Sequence, residues 1–286
     1  MLNIINADFF RIRKGKAIYA VALGMLGVIL LMVFMLKVIE SGRFLEQLEN
    51  DTPISVTFEG DVESYQNDIE AIQEMVPENG MQFATALYAN DAGQLIVLFT
   101  LVFIIIILGV DYSSGAYRNV LSYHSKRSKI YLSKLGMSSM LAIASLFMFG
   151  LMGLVVGGAF FGFQGYTGAN LLSVVTGITL MIPILLAFVA AGYCIVVFTK
   201  KTSATIAMYI IGVLVWGVIM QLAMLIFPAK QWISNLDLIG AIGRMMKYQT
   251  LTTSNILIPI GFGVAVIIVT MIIGLYKYQK TDFDFN

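Results

Sequence analysis

From Leu135 to Thr199 the chain carries no charged residue, a run of 65 positions. A lone Asp, Lys or Arg at the centre of a bilayer costs about 2.5 to 3.5 kcal/mol on insertion scales, so such a run is typical of a chain whose solvent is lipid. One membrane span needs about 20 apolar residues. The uncharged run is therefore long enough to hold two consecutive spans.

The amino-acid composition also indicates a membrane protein. Of the 286 residues, 58% are hydrophobic and 12% are charged, whereas soluble domains carry about 25% charged residues. The net charge of +1 gives no reason to expect a nucleic-acid partner. The single cysteine, Cys194, lies in an apolar run, so we expect a small buried hydrophobe and no internal disulfide. A cleavable signal peptide is not expected, because the first apolar run is too long for one.

The hydropathy pattern predicts an all-α polytopic membrane protein with six transmembrane helices. The predicted spans cover residues 17–37, 92–110, 135–163, 170–199, 202–227 and 254–276. The third and fourth spans divide at a stretch rich in turn-forming residues. The apolar runs do not alternate with a period of two, and only helices or closed barrels satisfy their backbone in lipid, so helices are the better interpretation.

The basic residues predict the orientation of these spans. With the N-terminus inside, the cytoplasmic segments hold 13 of the 18 Lys and Arg residues, and the external segments hold 13 of the 17 Asp and Glu residues. Membrane insertion follows an excess of Lys and Arg in cytoplasmic loops. We therefore expect both termini in the cytoplasm, with residues 277–286 as a cytoplasmic tail.

The N-terminal segment, residues 1–16, is amphipathic. Leu2, Ile5 and Phe9 fall on one helical face, and the basic residues lie elsewhere. This pattern predicts a helix lying in the cytoplasmic membrane interface, with its cations near anionic lipid. A flanking anchor for the first span is an equally good interpretation.

The longest predicted loop, residues 38–91, is extracellular and holds twelve acidic residues. Apolar residues at helical spacing predict one amphipathic helix that Pro77 ends, and residues 54–58 alternate like a short strand. About 50 residues rarely form an independent core, so we expect this loop to pack on the membrane part. Its acidity either attracts cationic substrates or reflects the exclusion of basic residues from this side.

Two further patterns concern the external half of the chain. Residues 228–253 predict an extracellular or re-entrant loop with an interfacial helix that Trp232 anchors. In the third span, Gly153 and Gly157 form a small-xxx-small pair that lets helices approach closely. Packing within the subunit is a better interpretation of this pair than a dimer seam.

No motif for catalysis or nucleotide binding occurs in the chain. The patterns G-x-x-x-x-G-K-[ST], H-E-x-x-H and G-x-S-x-G are all missing. His124, the only histidine, has no neighbouring cluster of Cys or carboxylates, so we expect no metal site. We therefore expect a chain that is not an enzyme and holds no cofactor of its own.

Apart from Lys37 at the end of the first span, the six predicted spans contain no Asp, Glu, Lys, Arg or His, whereas proton relays and ion pumps need such groups. Isolated hydroxyl and amide groups remain in the spans. The candidate residues for a substrate path are Thr100, Thr176, Thr179 and Gln221. Most groups of this kind are expected to hydrogen-bond between helices. By elimination, we expect a membrane subunit driven by a partner.

The cytoplasmic loop at residues 111–134 is the segment best suited to contact such a partner. Its sequence is DYSSGAYRNVLSYHSKRSKIYLSK, with a break at Gly115 and a helix-like piece at residues 117–123. Its cations also fit the role of positive-inside anchors.

This loop resembles the corresponding segment in the type-2 permeases of ATP-binding-cassette (ABC) exporters. Those chains have an interfacial N-terminal helix, six spans and, after the second span, an acid, a Gly-Thr pair, a basic residue, a Leu-rich turn, a Ser-Arg step and a later Lys. The matching residues here are Asp111, Gly115, Arg118, Leu121, Ser122, Arg127 and Lys134. Ala116 stands in place of the usual threonine, and Asp111 in place of the commoner Glu.

The resemblance implies that the loop is a coupling helix that docks on a separate ATPase subunit. The residues implied in that contact are Asp111, Gly115, Arg118, Asn119, Leu121, Ser122 and Arg127. It further implies a bacterial cell membrane, membrane lipid around the chain, two permeases as a homodimer or heterodimer, and two ATPases that bind ATP and Mg. Similar permeases serve bacitracin, lantibiotic-immunity and amphipathic-peptide exporters.

Three hypotheses about function follow. The first is an export permease for hydrophobic or amphipathic substrates, above all membrane-active peptides, which would give antimicrobial peptide resistance. The second is a permease for sodium or small drugs. The third is a non-transporting membrane sensor or scaffold, with the acidic loop as receptor. A neighbouring ATPase gene would separate the third hypothesis from the other two.

Overall fold

The structure is a computed structural model, and it describes residues 7–10, 13–14, 16–41, 76–89, 92–105, 127–227 and 231–280. These residues form helices and turns, with no strand among them. In chain order the helices are α1 (Ala17–Glu40), α2 (Gly80–Ala89), α3 (Ala92–Ile104), α4 (Arg127–Phe161), α5 (Gly168–Thr199), α6 (Thr202–Ile226), α7 (Gln231–Leu236), α8 (Leu238–Met245) and α9 (Thr253–Lys280). A short 3-10 helix, Tyr248–Thr250, precedes α9.

Five of these helices, α1, α4, α5, α6 and α9, are long and apolar enough to cross a membrane. The prediction of an all-helical membrane protein is confirmed at this level. Helix α3 has 13 residues, and residues 106–110 of the predicted second span lie outside the described part of the chain. The count of six spans therefore stays a prediction. The predicted strand at residues 54–58 and most of the acidic loop also lie outside the described residues.

Helix α5 lies at the centre of the described bundle. In its most apolar segment 67% of the residues are buried, against 11% for the corresponding segments of α6 and α9. It packs along α9, where the backbone of Gly263 approaches Pro183 so closely that an added Cβ would lie 3.3 Å from the Pro183 carbonyl oxygen. Helix α5 remains helical through Pro183. Helices α6 and α9, whose apolar segments are the least buried, form the periphery of the bundle.

The outer faces of α1, α6 and α9 carry rows of exposed large apolar side chains. Such faces are unfavourable in water, and they fit contact with lipid acyl chains. These side chains include Leu23, Leu30, Leu31, Phe34, Ile211, Leu214, Leu222, Leu225, Leu257, Ile268, Val269 and Ile272.

Helix α2 packs antiparallel against the half of α4 that ends at Phe161. The amide of Gly80 donates to the carbonyl of Gly162 over 3.0 Å, and eight residues later the hydroxyl of Tyr88 donates to the carbonyl of Leu146 over 2.6 Å. A Cβ at Gly80 would lie 2.5 Å from the Gly157 backbone, so the close approach requires glycine. The sequence predicted a loop up to residue 91, and α2 is the part of that loop that the hydropathy pattern does not anticipate.

Helix α8 closes over the other side of α2. An added Cβ at Gly243 would lie 2.9 Å from the carbonyl oxygen of Ala89, and one at Gly177 of α5 would lie 2.7 Å from the sulfur of Met246. Asp237 caps α8 by accepting hydrogen bonds from the amides of Ile239 and Gly240. The segment from α7 to α8 is therefore a packed part of the bundle.

Candidate functional site

The described helices bring most of their basic residues to one end of the bundle, which we call the basic end. Three contacts define it. The guanidinium of Arg127 donates to the carbonyl of Gln279 over 3.0 Å, the ammonium of Lys277 lies 5.6 Å from the centre of the Phe198 ring, and the N-terminal segment contacts α4 through Asp8. The start of α4, the end of α5, the end of α9 and residues 7–10 therefore meet at one place.

A buried ion pair joins the N-terminal segment to α4 at this end. The ammonium of Lys134 donates to the carboxylate of Asp8 over 2.9 Å, and the two side chains are only 2% and 7% exposed. Removing a charge from water costs several kcal/mol, and a close, hydrogen-bonded partner offsets that cost. Each charge therefore needs the other in order to stay buried. The hydroxyl of Ser138, one turn along α4, donates to the Lys134 carbonyl.

Three buried tyrosines pack beside the ion pair. Tyr131 of α4 lies edge-on to Tyr193 of α5, with ring centroids 5.0 Å apart, and its ring is tilted against Tyr278 of α9 at 5.5 Å. Offset and edge-on aromatic pairs are each worth about 0.5–1.5 kcal/mol beyond their burial. Gly274 leaves the space that the Tyr131 hydroxyl occupies. The cluster fixes α4, α5 and α9 relative to one another at the basic end.

Most of the residues predicted to contact an ATPase lie outside the described part of the chain. These residues are Asp111, Gly115, Arg118, Asn119, Leu121 and Ser122. Arg127 is described, and it begins α4 with its guanidinium on the last turn of α9. The side-chain amide of Gln279 in turn donates to the hydroxyl of Ser128 over 2.7 Å. Two hydrogen bonds therefore join the first two residues of α4 to Gln279 in the last turn of α9.

The candidate residues for a substrate path are distributed over three helices, α3, α5 and α6. The Thr100 hydroxyl is buried between α3 and α6, 3.1 Å from the hydroxyl of Tyr209. Thr176 and Thr179 of α5 each donate to the carbonyl four residues earlier. Gln221 lies on the exposed side of α6. The structure therefore shows no shared lining formed by these four residues.

A small cleft of about 100 Å³ lies at the opposite end of the bundle, between α2, α5 and the residue that follows α8. Its lining residues are Met81, Thr85, Asn170, Ser173, Val174 and Met246. At its edge the Gln249 amide donates to the Ser173 hydroxyl over 3.0 Å. Hydrogen bonding with the side chain of Gln249, and to a smaller extent with that of Ser173, lowers the pKa of the nearby Tyr248 phenol. A cleft of this volume has room for a few water molecules and is too small for a peptide.

Among the described residues, no group of three or more His, Cys, Asp or Glu side chains is placed to hold a metal ion. The sequence did not reveal the Asp8–Lys134 pair, because the two residues are 126 positions apart. One signal was available: Asp8 is the only acid among the first 39 residues of a segment rich in cations. An isolated acid in such a segment is a candidate partner for a buried cation.

Comparison with known proteins identifies the family of this chain. The sequence model of the family described as "Protein of unknown function (DUF2705)" matches residues 54–283. No curated protein and no solved structure matches the chain. The matched region runs from the acidic segment through the last helix and includes most of the basic end. The chain therefore belongs to the DUF2705 family of proteins of unknown function.

Proposed function

We propose that this chain is the membrane permease subunit of an ABC exporter in the bacterial plasma membrane. It moves hydrophobic or amphipathic substrates, above all membrane-active peptides, outward with ATP that a separate subunit hydrolyses. Two permeases and two ATPases form the working unit, and both termini face the cytoplasm. The observation that carries the proposal is the resemblance of residues 111–134 to the coupling helix of such permeases.

The positions of α3 and α4 support this role for the segment between them. A Cβ at Gly192 would lie 2.6 Å from the Cδ1 atom of Ile104, so α3 ends beside Gly192 of α5. The next residue, Tyr193, packs on Tyr131 at the basic end. Helix α4 starts at this same end. The described helices on either side of the coupling segment therefore end and begin near the basic end, which supports a docking role for the segment between them.

The contacts around Arg127 and Lys134 favour transmission of motion from that segment. A displacement of the segment acts directly on the first turns of α4. The Asp8–Lys134 pair carries the displacement to the N-terminal segment, and the Arg127–Gln279 hydrogen bond carries it to α9. Packed helices of this kind move as rigid elements rather than bend continuously. The basic end therefore transmits a displacement of the coupling segment to the membrane spans.

The spans favour apolar substrates. Among the described residues the long helices expose apolar surface with scattered hydroxyls, and Lys134, the charge buried within α4, is held by Asp8. Such a surface binds by apolar burial, at about 25 cal/mol per Å², and it does not select substrates by ion pairing. Amphipathic peptides meet this requirement better than sugars, amino acids or metal ions do.

The test is substrate-stimulated ATP hydrolysis by the complex in lipid nanodiscs. We expect helical membrane-active peptides to stimulate hydrolysis, and we expect Arg118→Glu to lower that stimulation because the change reverses a charge in the docking segment. Lys247→Glu, at the opposite end of the bundle, is the matched control and should leave stimulation unchanged.

Two results would contradict the proposal in different ways. Stimulation by sodium alone, with peptides inert, would favour an ion exporter. Equal stimulation in the Arg118→Glu complex, with normal expression, would mean that residues 111–134 do not couple the two subunits.

A further inference from the structure

The basic end carries a strong excess of exposed positive charge. The exposed cations there are Arg13, Lys14, Lys16, Lys129, Lys200, Lys201, Lys277 and Lys280. The one carboxylate described at this end, Asp8, is buried against Lys134. Three cations are described at the opposite end: Lys37 pairs with Glu40 at 2.6 Å, Arg244 lies close to Asp237, and Lys247 is exposed. Among the described residues, the excess of positive charge is therefore concentrated at the basic end.

Three of these lysines lie over aromatic rings that are themselves exposed. The ammonium of Lys14 is 4.8 Å from the centre of the Phe10 ring, that of Lys280 is 4.4 Å from the Tyr276 ring, and that of Lys277 is 5.6 Å from the Phe198 ring. The three rings are 51–59% exposed. A ring of this kind lies at the boundary between acyl chains and headgroups, and a lysine above it reaches toward the phosphate level.

The lipid-facing row of α9 leads directly into one of these pairs. The exposed side chains of Val269, Ile272 and Tyr276 follow one another at helical spacing, and Lys280 comes one turn later. The row passes from aliphatic to aromatic to cationic along a single helix face. A helix face that contacts lipid acyl chains along its length meets lipid headgroups at its end. This face therefore indicates that lipid, rather than a protein, binds here.

We propose that the basic end is a binding surface for anionic phospholipid headgroups, formed by the Lys14–Phe10, Lys277–Phe198 and Lys280–Tyr276 pairs. A zwitterionic headgroup brings an ammonium of its own into this cationic surface, whereas an anionic headgroup brings only negative charge. The Asp8–Lys134 pair holds the N-terminal segment so that Phe9 and Phe10 stay exposed on the same surface. Lipid binding here does not depend on whether the chain exports a substrate.

The experiment uses the full chain purified in a mild non-ionic detergent. Retained lipid is counted by native mass spectrometry after addition of phosphatidylglycerol or phosphatidylcholine. We expect the wild-type chain to retain phosphatidylglycerol in preference to phosphatidylcholine. The variant K14Q/K277Q/K280Q should lose at least about fivefold in phosphatidylglycerol binding, the effect expected of one lysine near an anionic surface. Inorganic phosphate at the same concentration should not displace the lipid.

The matched control is Lys247→Gln, which removes an exposed lysine from the opposite end and should leave lipid retention unchanged. Equal retention of the two lipids by the wild-type chain would overturn the proposal. An equal loss of phosphatidylglycerol binding in Lys247→Gln would also overturn it. So would the finding that a co-purified protein, and not phosphatidylglycerol, shields the three lysines from an amine-reactive reagent.

Discussion

Lys134 and Asp8 show what a single pair of residues contributes to this bundle. Lys134 lies two turns into α4, 2% exposed, and the 2.9 Å contact with Asp8 ties a segment before the first long helix to the fourth helix. The sequence places Lys134 only at the end of a cytoplasmic loop. Local patterns cannot pair residues 126 positions apart, because each pattern covers a few turns of one element.

Removing one partner of this pair should be strongly destabilising. Lys134→Met and Asp8→Asn should each lower the free energy of unfolding by about 3–5 kcal/mol, because each leaves an uncompensated buried group. The measurement is denaturant unfolding of the detergent-solubilised chain. Lys129→Met, on the exposed side of the same helix, should change stability by no more than about 0.5 kcal/mol. A Lys134→Met chain that unfolds like the wild type would rule out a buried pair.

Helices of different length were predictable from the sequence to different degrees. The five long helices have enough apolar residues to be visible in the sequence itself. Helix α2 has only ten residues, with Gln82 and Thr85 among them, and its burial depends on glycines of α4 that lie far away in sequence. The sequence indicated that Gly153 and Gly157 allow close packing. It could not indicate that the packing partner is α2.

The packing of α2 against α4 should be sensitive to one added methyl group. A Cβ at Gly157 would lie 2.7 Å from the Gly80 carbonyl oxygen, so Gly157→Ala should cost about 1–3 kcal/mol through overpacking. Gly212 of α6 has no atom within 4 Å of an added Cβ. Gly212→Ala should therefore stabilise the chain by up to about 1 kcal/mol through helix propensity. Thermal unfolding of the two variants side by side is the measurement, and equal effects would contradict this packing.

The whole molecule has a charge asymmetry that the sequence already contained. Thirteen of the 18 basic residues fall on the side predicted as cytoplasmic, and the structure gathers the described members of that group at the basic end. The orientation in the membrane stays a prediction from this bias. The coupling contact stays a prediction from sequence resemblance, because six of its seven candidate residues lie outside the described part of the chain.

Cysteine labelling tests the predicted orientation. An impermeant thiol reagent applied to intact cells should label Ser64→Cys, in the predicted extracellular loop, and should not label Lys200→Cys, at the basic end. The wild-type chain, whose only cysteine is the half-buried Cys194, gives the background. The reverse labelling pattern would place the basic end outside the cell.

The most direct test of the proposed function is affinity purification of the tagged full-length chain from its native host in a mild detergent. A permease subunit should bring with it a stoichiometric ATPase that carries the nucleotide-binding motif missing from this chain. Arg118→Glu should reduce the amount recovered, while Lys247→Glu should not. A chain that purifies reproducibly without any ATPase, and equally so in both variants, would contradict the account and favour a non-transporting membrane sensor or scaffold.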